Sequence, residues 1–165
     1  MSSNRPGLSS ALPFFGIPPQ AGGSIIQGDG FVYTYVIAFA TSIAAAAIST
    51  VTQQFDNTTV FKWTKTTIYA DIAGAAQTES SRVLPLVTLR LTDLASGFSF
   101  SNAAVPAFAM AGSAELPFIL PTPQFVLANA VIQFVATNIS AATTYANLSV
   151  HLHGYKLYNY KQGFK

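Results

Sequence analysis

The sequence predicts an all-β protein, a jelly roll or β-sandwich of about eight antiparallel strands behind an extended N-terminal arm. Three observations predict it. Apolar and polar residues alternate with period two in short runs rich in β-branched and aromatic side chains. Clusters of Pro, Gly, Asn and Asp separate those runs at short, even spacing. No stretch carries the apolar periodicity of an amphipathic helix, and no sustained repeat occurs. With 165 residues and 50% hydrophobic content, the chain is long enough for one core and short for two. It divides into an arm over residues 1–23, a β-domain over 24–160 and a short basic tail over 161–165.

The arm is rich in Ser, Pro and Gly around an apolar patch, Leu12-Pro13-Phe14-Phe15-Gly16-Ile17. Proline fixes φ and removes a backbone donor, so this segment is extended and not helical. It reads either as a frayed chain end or as an arm that docks on a neighbour through Phe14, Phe15 and Ile17, which would otherwise face water.

The first strand covers residues 31–39, with Phe31, Tyr33, Tyr35, Ile37 and Phe39 on one face. Residues 44–47 are four alanines, too few for a stable helix. Flanked by Ile43, Ile48, Thr50 and Val51, they are expected to continue a strand whose small side chains admit a close neighbour. Residues 59–69 alternate, with Val60, Lys62, Thr64 and Thr66 on one side and Phe61, Trp63 and Lys65 on the other. Trp63 is the single tryptophan. Its expected place is the core, and carbohydrate stacking is the runner-up.

Over residues 86–92, Val87, Leu89 and Leu91 oppose Thr88, Arg90 and Thr92. The Pro-rich segment 116–123 belongs at a sheet edge or in a crossing loop, and is expected to form a corner between sheets. Residues 125–135 and 148–158 supply the remaining strands. In the last of them Leu148, Val150, Leu152 and Gly154 share one face, opposite Ser149, His151, His153 and Tyr155.

Composition removes whole classes of chemistry. There is no cysteine, so no disulfide framework, thiolate metal site or cysteine nucleophile forms. Charged residues make up 8%, against roughly 25% in an average soluble domain. A formal charge of +2 offers no basic face for nucleic acid. The acids Asp29, Asp56, Asp71, Glu79, Asp93 and Glu115 are isolated in sequence, which leaves a glycosidase-like carboxylate pair without support. No nucleophile elbow, phosphate-binding loop or calcium loop occurs. The expectation is a non-enzyme without cofactor.

His151-Leu152-His153 is the one metal-like pattern. Its imidazoles lie on one strand face about 7 Å apart along the chain, two donors where zinc takes three or four. An exposed polar face is the simpler reading, unless copies meet on a symmetry axis and complete the set. The triplets at Asn57, Asn138 and Asn147 read as turn or strand residues and not as glycosylation sites. No charge stands between Asp29 and Asp56, and residues 31–48 are long enough for a membrane span. Scattered Thr and Ser and acidic flanks argue against one. Residues 1–20 carry four prolines where a secretion signal needs a continuous apolar core. A soluble, uncleaved chain is expected.

Basic residues gather at the end, in Lys156, Lys161 and Lys165, and no acid follows Glu115. They read either as a solvated tail or, with His151 and His153, as an edge that docks on an acidic surface and grips it harder below about pH 6.5, once the imidazoles are protonated.

The second half carries an ordered set: Leu84-Pro85, Leu89-Arg90-Leu91-Thr92-Asp93, Ser96-Gly97, Ser101-Asn102, Val105-Pro106, Gly112, Pro117-Phe118-Ile119-Leu120-Pro121, Ala128-Asn129-Ala130, Ile132, Asn138 and Leu152-His153-Gly154-Tyr155-Lys156. In this set, which covers about half the chain, it resembles small jelly-roll virion proteins of tailed bacteriophages that decorate or cement the head. The resemblance implies turn-fixing roles for Asp93 and Asn138, a closing-strand signature in His153-Gly154-Tyr155-Lys156, and no catalytic residue. It also implies a homo-oligomer, trimer or dimer, bound to the major capsid protein or another virion protein on the head surface, and soluble in the host cytoplasm before assembly. A collar, tail or fibre-attachment component is the next reading, and a carbohydrate-binding module is the alternative of another class. Low charge and an aromatic arm independently suit a subunit whose neighbours cover much of its surface.

Overall fold

The computed structural model describes residues 30–39, 42–74 and 82–158. They form nine strands: β1 (Gly30–Ala38), β2 (Ser42–Ile43), β3 (Ile48–Gln54), β4 (Val60–Ile72), β5 (Val87–Asp93), β6 (Val105–Pro106), β7 (Phe118–Val126), β8 (Val131–Asn138) and β9 (Tyr145–Leu157). One turn of 3-10 helix follows β6 at Ala107–Ala109. One sheet has the order β1-β9-β4-β7, with β2 continuing the line of β1 along β9, and the other has the order β3-β8-β5-β6. All strand pairs are antiparallel.

The chain crosses repeatedly from one sheet to the other, so that β9 comes to lie between β1 and β4, and β8 between β3 and β5. This is jelly-roll connectivity, and the expected all-β sandwich is what the structure shows. The core lies between the sheets. Tyr35 and Ile37 of β1, Phe61, Trp63 and Ile68 of β4 and the Leu148, Val150 and Leu152 row of β9 face Val87, Leu89 and Leu91 of β5 and Ile132 and Phe134 of β8. All are buried, and removing such side chains from water is the main stabilising term.

Four local expectations need correction. First, β4 does not alternate without a break. Its register shifts between Trp63 and Lys65, a bulge that adds a residue and turns the strand over. Phe61 and Trp63 face inward before it, and Thr66, Ile68 and Ala70 face inward after it. The buried indole is satisfied there, because Trp63 Nε1 donates to Thr66 Oγ1 at 3.0 Å and to the Lys65 carbonyl at 3.1 Å. Opposite the bulge β9 places Gly154, where an added Cβ would overlap the Lys62 carbonyl oxygen.

Second, residues 44–47 form a turn between β2 and β3, not a strand. Ala47 N–H donates to the Ala44 carbonyl at 3.1 Å, and Ala46 takes φ +58°. A distant side chain holds the turn. Buried Asn138 donates through Nδ2 to the Ile43 and Ala44 carbonyls, both at 3.0 Å. It also binds the following loop, donating to the Thr143 carbonyl at 2.8 Å and accepting from Ser140 N–H at 2.9 Å.

Third, residues 125–135 are two strand ends and a turn. Ala130 N–H donates to the Leu127 carbonyl at 3.2 Å and Asn129 takes φ +61°. Fourth, the Pro-rich segment is at an edge as expected, yet as part of strand β7 and not as a corner. Proline is tolerated there because an edge strand has one row of backbone groups without a ladder partner.

The uncharged run that is long enough for a membrane span is built into β1, β2 and β3. Among the described residues no helix is long and apolar enough to cross a membrane. The arm 1–23 and the tail 161–165 lie outside the described residues.

Candidate functional site

The residues expected to meet a partner separate into three groups. Phe14, Phe15, Ile17, Lys161 and Lys165 lie outside the described residues. His151 and His153 do share a face of β9, as their spacing requires, on the side of the sheet away from the core. Lys156 goes the other way.

β9 runs between β1 and β4, which places His153 beside Thr34 and Lys65 and His151 beside Val36 and Thr67. His153 is held at both ring nitrogens. Nδ1 is hydrogen-bonded to Thr34 Oγ1 at 3.0 Å and Nε2 to Thr67 Oγ1 at 2.9 Å. His151 Nε2 is hydrogen-bonded to Ser149 Oγ at 3.0 Å, and the two rings meet edge to face with centroids 6.2 Å apart. Both are half-buried, and burial holds both imidazoles below their ordinary pKa of 6.5. Nearby Lys65 and His151 depress His153 further. The face is therefore a tethered, neutral pair and not a free basic surface. Among the described residues no group of three His, Cys, Asp or Glu side chains comes together that could hold a metal ion.

Lys156 corrects the expected basic edge. By parity it shares the inward face with Leu152 and Gly154, and it is 7% exposed. Its Nζ lies 2.5 Å from Asp56 Oδ2 and 3.4 Å from the centre of the Tyr33 ring, with Tyr35 at 5.1 Å. Burial pulls the ammonium pKa down, and the Asp56 carboxylate with the two tyrosines outweighs it, so the net shift is upward. The hydrogen bond from Lys156 lowers the Asp56 carboxyl, helped by Tyr35 and Thr59. Burial raises the Tyr35 phenol. This ion pair closes one end of the sandwich. Its acid was invisible from the C-terminal sequence because β9 returns to the segment before β4 only in the folded chain.

Two grooves remain. One, of about 320 Å³, lies beside the histidines and is lined by Thr67, Tyr69, Arg82, Ser113, Glu115 and His151. Tyr69 donates to Asp71 at 2.9 Å, and Asp71 also accepts from Asn147 Nδ2 at 3.1 Å. The hydrogen bond from Tyr69 to Asp71 raises the Tyr69 phenol. The Arg82 guanidinium lies 5.6 Å from the Tyr69 ring centre. The other groove, of about 370 Å³, is apolar, with Trp63, Phe98, Phe100, Met110, Phe118 and Leu120 around it. Phe100 meets the indole edge to face at 5.9 Å. Trp63 itself is 4% exposed, which leaves no open indole face for a sugar to stack on.

The turn-fixing roles implied for Asp93 and Asn138 are what their contacts show. Asp93 accepts from Ala95 N–H at 3.0 Å and from Ser96 Oγ at 2.6 Å, while Gly97 N–H binds its carbonyl at 2.8 Å. What the sequence reading missed is the exposed row of β1. Val32 is 75% and Val36 56% exposed, on the face that also carries Thr34. The one signal for it in the sequence is the uncharged run between Asp29 and Asp56. Compared with models of known protein families, with curated proteins and with solved structures, the chain matches none.

Proposed function

We propose that this chain is a virion structural protein, a decoration or cement subunit that associates with copies of itself and binds the head shell. The observation that carries the reading is the surface: large apolar side chains stand in water on several sides of a well-packed domain, with Leu116 80%, Val32 75%, Ile119 71% and Ile48 67% exposed, and charged residues are 8% of the chain. Apolar side chains this exposed, with so little charge between them, suit a subunit that neighbours cover.

The jelly roll serves capsid and lectin domains alike, so fold alone does not choose between them. The burial of Trp63 takes away the stacking platform that motivated the carbohydrate-binding alternative. Several titratable groups are committed to structural contacts, Asp56 to Lys156, Asp71 to Tyr69 and Asn147, and Asp93 to its own turn, which supports a non-catalytic role. A collar, tail or fibre-attachment subunit would share this chemistry and differ in place.

The test is to image native particles with the chain labelled. Density from this protein distributed over the shell is the expected result, and density confined to a vertex would move it to the collar or tail. A purified chain that neither self-associates nor binds particles would overturn the reading.

A further inference from the structure

We infer that β1 pairs with β1 of a second copy across a two-fold axis, extending the five-stranded sheet from one molecule into the other. The inference rests on the assembly reading above and goes beyond it by naming the surface, the partner and the register. A strand at a sheet edge presents a row of backbone donors and acceptors without partners, and proteins blunt such edges with proline, charge, bulges or shortness. The sandwich has four edges, β1 and β7 in one sheet and β3 and β6 in the other. Two of them are blunted. β7 contains Pro121 and Pro123, and β6 is two residues long and ends in Pro106.

The other two are open. β1 has nine residues and β3 seven, neither with a proline or a charge, and among the described residues no strand pairs with the outer edge of either. This is where the uncharged run between Asp29 and Asp56 goes. It forms one side of the sandwich, where two copies approach without like charges to repel them.

The backbone sets which residues face the open edge. Phe39 N–H donates to the Leu148 carbonyl at 2.9 Å, one rung beyond the Ala38 and Ser149 pair. Antiparallel rungs alternate, so Tyr33, Tyr35 and Ile37 turn their polar groups to β9, while Val32, Thr34 and Val36 turn theirs outward. That outward set is symmetric about Thr34. In an antiparallel pair centred there, Thr34 meets Thr34 of the partner subunit, and Val32 meets Val36 of the partner subunit on both sides of the axis. Each outward N–H and C=O finds a partner, and the valines exposed in the monomer cover each other, as an isologous contact requires.

The chain has no cysteine, so a single Thr34→Cys variant reports this contact directly. A directly opposed hydrogen-bonded pair has Cα atoms about 5.5 Å apart, within the range a disulfide spans. Oxidation is expected to link Thr34→Cys into a covalent dimer, and to leave an Ala103→Cys control on an exposed loop mostly unlinked. A second pair of variants leaves Thr34 intact. Val32→Lys/Val36→Lys and Val32→Glu/Val36→Glu set like charges against each other in a self-pair, so each alone is expected to show monomer mass by light scattering. An equimolar mixture is expected to recover the dimer, with circular dichroism unchanged throughout. If the lysine variant keeps the parent's mass, the copies associate through another surface, and β1 pairing falls while the assembly reading stands. A parent that stays monomeric also overturns the pairing, and particle binding by that same parent then decides the assembly reading separately. If a Thr34→Cys/Phe15→Cys variant links within one chain instead, the arm occupies the edge and the second copy does not.

Discussion

Trp63 and Lys156 show how much a single side chain's surroundings decide. Trp63 was expected in the core and is there, with its indole N–H satisfied at the bulge. Trp63→Ala is expected to lower stability by about 3–5 kcal/mol, measured by urea unfolding, and to affect partner binding only through folding. Lys156 was expected at a docking edge and instead neutralises Asp56 inside the end of the sandwich. Lys156→Gln should therefore cost about 1–3 kcal/mol of stability, less than a fully buried pair because Asp56 keeps contact with water. A variant of unchanged unfolding midpoint that lost particle binding would return Lys156 to the surface. The histidines give a pH dependence with a definite sign. Their folded pKa values lie below the ordinary 6.5, so the unfolded chain binds more protons in that window. Stability is full above pH 6.5 and falls as pH drops from there toward the folded values. Urea unfolding on both sides of pH 6.5 checks this, and replacing both histidines with glutamine should flatten the dependence.

The elements that were hardest to place from sequence are those whose geometry depends on a distant strand. Residues 44–47 bend because Asn138 reaches them from the end of β8. Alternation along one segment carries no trace of that bond. Asn138→Ala leaves the Ile43, Ala44 and Thr143 carbonyls without this donor, and is expected to cost about 1–3 kcal/mol and to loosen the turn, visible as faster amide exchange at the Ala44 to Ala47 turn. The β4 bulge likewise needs its neighbour. Gly154 is required where β9 passes the Lys62 carbonyl, because a side chain there has no space. Gly154→Ala should cost about 1–3 kcal/mol through backbone displacement, whereas Gly97→Ala, in an open turn at φ +70°, should cost only the strain of its conformation, about 1 kcal/mol. Thermal unfolding of the two variants orders them.

At the scale of the whole molecule, charge is unevenly placed. β1 and β3 carry none, and the one lysine of the expected docking edge that lies among the described residues, Lys156, is paired with Asp56. Association along the β1 side should then be held by backbone hydrogen bonds and valine contacts, neither of which salt screens appreciably. Sedimentation at low and high salt is expected to give the same mass. Dissociation on adding salt would point to charge pairing elsewhere on the surface.

By itself the sequence determined the all-β class and the apolar rows of β5 and β9 that face the core, confined the proline-rich segment to an edge or a crossing loop, and favoured the core for the single tryptophan. The rows follow from period-two alternation, the confinement from proline's missing donor, and the tryptophan's place from the preference of large aromatics for the interior, properties that residues carry with them. Only the tertiary structure decided the β4 bulge, the turn at residues 44–47, the inward pairing of Lys156 with Asp56 and the collection of the uncharged run onto one open side of the sandwich. Those depend on which strands lie next to each other. Jelly-roll crossovers bring together residues from opposite ends of the chain, so contacts that decide charge, turns and edges are not encoded in any local stretch.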